Sequence, residues 1–79
     1  MEWIKTAEQL PKLYDVRVDE TKWMRSELLL GYYSQEEVKY FVMFYEEGIG
    51  EDGVEWEQWI VGSDEVEPPE QWTVIEGPE

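Results

Sequence analysis

Apolar residues fall along this chain in short runs broken by glycine, proline and acidic segments, a spacing that suits strands better than long helices. Leu28-Leu29-Leu30-Gly31-Tyr32-Tyr33 is apolar at both parities, as a strand covered on two faces would be. Val38 to Tyr45 follows after the polar Ser34-Gln35-Glu36-Glu37, and here a helix competes. Ser34 and Glu37 have the spacing of a capping box, and Val38, Phe41, Val42 and Tyr45 share one helical face. Strand is the better reading, because the run is dense in Val, Tyr and Phe and holds neither Ala nor Leu. If residues 35–47 were helical, the class would become α+β.

Gly48-Ile49-Gly50-Glu51-Asp52-Gly53 is the strongest turn signal, so a hairpin is expected between residues 38–46 and 54–61. In the second arm Trp59 falls in register with Glu55 and Glu57; either a bulge near Gln58 shifts it or it stands on the acidic face. Further short strands are expected at Trp3–Lys5, within Leu13–Val18 on the weak alternation of Tyr14, Val16 and Val18, and at Gln71–Ile75. Thr6 and Gln9 again have capping-box form, but Pro11 limits that segment to one helical turn. Asp19–Lys22 and Ser63–Pro69 read as polar and acidic loops, and the Glu-Gly-Pro-Glu end as frayed. The expected fold is one domain over 1–79: mainly β with minor α, a small twisted antiparallel sheet of about four or five strands with one helical turn. Trp3, Leu28, Leu30, Phe41, Val42, Phe44, Trp56 and Ile60 are its core candidates.

With no cysteine there is neither a disulfide framework nor a thiolate metal site, so packing must hold the 79 residues together. Five Trp, five Tyr and two Phe supply the apolar area. No apolar run approaches the roughly 20 residues of a membrane span, and Met1-Glu2-Trp3-Ile4-Lys5 lacks the basic start and apolar stretch of a signal peptide. A cytoplasmic location is the expectation.

Charge changes the picture most. The net value is −14, yet residues 1–39 hold all six bases (Lys5, Lys12, Arg17, Lys22, Arg25, Lys39) beside eight acids, whereas residues 40–79 hold twelve acids and no base. The second half can offset its own field only by reaching back to those bases. Direct binding to nucleic acid and to anionic membranes is disfavoured, because both rest on cationic side chains.

The catalytic inventory is thin. Without His or Cys, imidazole and thiolate sites are excluded, and Ser26, Ser34 and Ser63 stand in no nucleophile elbow. Gly48-Ile49-Gly50 is no phosphate-binding loop. A carboxylate pair such as Glu55 with Glu57, or a hard cation held by Glu46 to Asp52, is the remaining enzymatic or metal-binding option, although the latter segment misses the EF-hand pattern. No cofactor is expected. The stretch from Glu51 to Glu70 suits a protein-binding surface better, with Glu51, Asp52, Glu55, Glu57, Trp59, Asp64, Glu65 and Glu67 facing a partner of basic character. Carboxylates repeated along one face imitate a phosphate backbone, so a nucleic-acid-handling protein is one such partner.

Trp3-Ile4 with Leu10-Pro11, then Leu30-Gly31-Tyr32-Tyr33, the aromatic strand with Trp56, and Pro68-Pro69 before Trp72 run nearly the whole length of the chain. In this it resembles the family catalogued as domain of unknown function 551, short proteins of phages, prophages and the bacteria that carry them. The resemblance implies a mobile-element origin and a compact fold of strands with little helix, and it implies no reaction. A structural or assembly role in a virion follows only from that setting.

Overall fold

The structure, a computed structural model, describes residues 2–15 and 22–75. It contains eight strands: β1 (Ile4–Lys5), β2 (Leu13–Asp15), β3 (Lys22–Ser26), β4 (Leu29–Tyr32), β5 (Tyr40–Ile49), β6 (Glu55–Val61), β7 (Asp64–Val66) and β8 (Gln71–Val74). All pairings are antiparallel. The spine is β5, which belongs to two half-sheets. Its residues 40–43 pair with β4, beyond which lie β8 and β1; its residues 46–49 pair with β3 and then β2. On its other edge, residues 44–49 pair with β6, and β6 pairs with β7.

Strands β3 and β4 run along the same edge of β5 as one strand broken by an extra residue. Arg25 pairs with Glu46 and Leu29 with Met43, so residues 26–28 face only residues 44 and 45. Such a bulge orphans a ladder donor and bends the strand. Ser26 repairs the loss: its hydroxyl accepts the Tyr45 N–H at 2.9 Å and donates to the Glu27 carbonyl at 2.8 Å. Beyond this break the outer neighbours diverge, β2 following β3 and β8 following β4.

Both half-sheets curl over one core of Leu29, Met43, Tyr45, Trp59 and Trp72, with Ile4, Leu13, Tyr33, Val61, Val66 and Val74 packed around it. Burial of a large ring contributes at most about 4 to 6 kcal/mol at the usual area coefficient, so Trp59 and Trp72 carry much of the stability. Trp72 also donates its indole N–H to the Gln9 carbonyl at 2.9 Å, tying the N-terminal turn to β8.

Several expectations are corrected. There is no helix among the described residues; Thr6–Glu8 is a single turn in which Glu8 and Gln9 both donate to the Lys5 carbonyl. Residues 40–49 are strand, so the α+β alternative falls, and the strands among the described residues number eight rather than four or five. The acidic loop after Ser63 contains β7, held to β6 by pairing. Trp59 shares the face of Glu55 and Glu57 with no bulge, since β5–β6 pairing is regular from Phe44↔Ile60 to Ile49↔Glu55. The expected core is largely inverted: Leu28 and Val42 are exposed, and Trp3, Leu30, Phe44, Trp56 and Ile60 are half-buried on the face away from the core. Only Phe41, half-buried, has the parity of the core. Val16–Val18, residues 19–21 of the expected Asp19–Lys22 loop and the Glu76–Glu79 end lie outside the described residues, and Lys22 itself opens β3.

Candidate protein-binding face

Antiparallel register places Leu30, Tyr32, Tyr40, Val42, Gln71 and Thr73 on the outer face of the β1–β8–β4–β5 half-sheet. Trp3, one residue before the Ile4↔Trp72 pair, lays its ring over this face. Its centroid is 6.3 Å from Tyr32 and 5.9 Å from Tyr40, and Tyr32 and Tyr40 are 5.4 Å apart. These tilted and edge-on contacts suit aromatic quadrupoles and hold the three rings as one plate. Tyr40 is nonetheless 55% exposed and its neighbour Val42 52%.

On the same face, where β5 passes into the second half-sheet, the rows become Arg25–Glu46–Gln58 and Trp23–Gly48–Trp56. Glu46 is buried, and both its oxygens are used: Arg25 Nε donates to Oε2 and Gln58 Nε2 to Oε1 at 2.9 Å. The Arg25 guanidinium lies 4.8 Å from the rings of Trp23 and Phe44 alike, so the ion pair is flanked by aromatic faces that favour its cation. Gly48 is needed beneath Trp56, whose ring a Cβ would overlap.

The acids singled out from the sequence are divided. Glu51 and Asp52 stand in the β5–β6 turn, where Asp52 accepts the Val54 N–H at 3.0 Å and Gly53 takes a φ of 81°. Glu55, Glu57 and Asp64 have the parity of the core face but lie exposed, and Tyr45 donates its hydroxyl to Glu57 at 3.0 Å. Glu65 pairs with Ile60 and takes the opposite face, and Glu67 follows β7. Trp59, expected among them, is only 5% exposed and belongs to the core. Glu46 and Glu47 point to opposite faces of β5, and no three acids among the described residues gather as a cation site.

Asp64, Glu65 and Glu67 do come together, with Glu36, around a pocket of about 460 Å³. Its apolar walls are Tyr33, Phe41, Val61 and Val66. Tyr33 packs edge-on against Phe41, centroids 5.7 Å apart, and donates to the Glu67 carbonyl at 2.6 Å. Burial, then the Glu36 and Glu67 carboxylates, push its phenol up to about 12. Burial and the hydrogen bond to Glu57 raise Tyr45 likewise. Hydrogen bonding from Ser34, with Lys39 nearby, lowers the Glu70 carboxyl.

The outer aromatic plate and this pocket are what reading the sequence missed. Their signal was there: Tyr40 to Tyr45 is apolar at both parities, more apolar surface than one core face can use. Compared with family models, curated proteins and solved structures, the chain matches none.

Proposed function

We propose that this protein is a small non-enzymatic binding module whose partner is another protein. The observation that supports it is the Trp3–Tyr32–Tyr40 plate with Tyr40 and Val42 more than half exposed beside it. Exposed apolar clusters on small domains mark interaction surfaces, and Trp and Tyr supply much of interface energy. The net charge of −14 steers a basic partner toward this surface and repels nucleic acid and anionic membranes. A nucleic-acid-handling protein of a bacterial host fits that chemistry, and the cytoplasmic, mobile-element setting belongs to the same proposal, resting only on the resemblance of the short motifs to those of the domain of unknown function 551 proteins.

The test is capture from bacterial lysate on immobilised wild-type protein and on a Trp3→Ser/Tyr40→Ser variant, each at low and high salt. The expected result is a discrete partner on the wild type, weakened by salt and lost with the variant. No partner, or one retained equally by the variant and indifferent to salt, would overturn the reading.

A further inference from the structure

Strand β5 has an open edge beside the acidic pocket. Tyr33 N–H donates to the Lys39 carbonyl, which sets the hydrogen-bonded pairs between β4 and β5 at residues 33/39, 31/41 and 29/43. By antiparallel alternation the N–H and C=O of Tyr40 and Val42 therefore point to the opposite edge. On that edge β6 reaches only as far as Phe44, because Gly62, at a φ of 65°, turns the chain back into β7 on the far side of β6. Among the described residues no strand covers Tyr40 to Met43 there.

We infer that this edge accepts an extended basic segment of the partner protein as an added strand, collinear with β6. The inference rests on the protein-binding reading and gives it a geometry. An added strand presents alternate side chains to opposite faces. One set would enter the pocket between Phe41, Val61 and Val66, and the other would lie against Tyr40, Val42 and the aromatic plate. Two features otherwise unexplained are then used together: an apolar pocket and an exposed apolar face, on either side of one unpaired strand edge.

Charge selects the occupant. Glu36, Asp64, Glu65 and Glu67 rim the pocket, and among the described residues no lysine or arginine lines it. A segment alternating Lys or Arg with Val, Leu or Ile would lay its apolar residues against Tyr40, Val42 and the plate, and run the stems of its cations along the apolar walls of the pocket to this rim. A second copy of the chain would instead bring two molecules of charge −14 edge to edge. Open edges are normally blunted by lysine, proline or a covering loop, whereas here Tyr40, Phe41 and Val42 form the edge.

The test uses the full chain and two acetylated heptapeptides, one alternating Lys with Val and one alternating Glu with Val, titrated while amide resonances are followed. The Lys/Val peptide should shift residues 39–43 and 61–67, and the Glu/Val peptide should leave them unmoved. Val42→Pro removes an edge donor without touching the β4 ladder, and should weaken the Lys/Val peptide about tenfold or more while the remaining amides keep their dispersion. Hydrogen exchange provides a check needing no variant: Tyr40 and Val42 amides exchange fast in the free protein and are protected by the Lys/Val peptide, while Phe41 and Met43 are protected throughout. Asp64→Asn/Glu65→Gln should weaken that peptide and flatten its salt dependence.

Equal binding of both peptides, protection of Tyr40 and Val42 in the free protein, or concentration-dependent dimerisation through residues 39–43 would overturn the inference. A lysate partner lost with Trp3→Ser/Tyr40→Ser but held at full strength by a folded Val42→Pro would overturn it too, and would leave the protein-binding reading standing.

Discussion

Glu46 is the single acid among the described residues held almost entirely from water, at 1% exposure, and Arg25 opposite it is the base that answers it. In a chain whose second half has no base of its own, this is the reach back toward the N-terminal cations that the charge distribution demands. Removing one partner of a buried pair costs more than the pair contributes, because the remaining charge is stranded. Arg25→Met should therefore lower stability by about 2 to 3 kcal/mol, less than for a fully buried pair because the arginine side chain is 36% exposed. Arg25→Met/Glu46→Leu should recover most of that loss. Urea unfolding of both variants decides it; a single variant as stable as the wild type would mean that solvent already screens the Glu46 carboxylate. None of this was readable from sequence, since nothing distinguishes Glu46 from Glu47 except the face of β5 each occupies.

At the scale of elements, that face was the missing information. The β5–β6 hairpin was legible from three glycines in six residues between aromatic runs, and the final strand from Gln71-Trp72-Thr73-Val74. The parity was not, because residues 40–45 are apolar throughout, and a shift of one residue exchanges every side chain between core and surface. Trp59, in register with Glu55 and Glu57, held the answer: the acidic face of β6 is also the core face, with its acids beyond the end of the core. The break at Ser26 was equally hidden, since Trp23 to Tyr33 gives no sign that Glu27 and Leu28 leave the ladder. Hairpin geometry can be checked at two glycines. Gly48→Ala drives a Cβ into the Trp56 ring and should cost about 2 kcal/mol, the range for overpacking. Gly53→Ala meets no neighbour and bears only the strain of a φ of 81°, about 1 kcal/mol. Thermal melts showing the opposite order would place Trp56 away from Gly48.

Across the whole molecule, buried phenols govern its behaviour in alkali, with the acidity adding to them. Unfolded tyrosines lose their protons near pH 10, whereas in the folded chain Tyr33 keeps its proton to about 12 and Tyr45 is raised as well. Between these values the folded state binds more protons than the unfolded one, so stability falls as pH rises through the window and is unaffected well below it. The chain carries −14 already at neutral pH, but burial is the larger cause at both residues, so added salt should restore only the smaller, carboxylate-driven part. Tyr33→Phe separates the contributions. At neutral pH it should be less stable by about 1 kcal/mol, because the hydrogen bond to the Glu67 carbonyl is gone. Between pH 10 and 12 its urea midpoint should decline less steeply than that of the wild type, so the two narrow toward each other. Parallel declines would show that Tyr33 ionises as freely folded as unfolded, and would remove the burial assigned to it between Phe41 and the chain after β7.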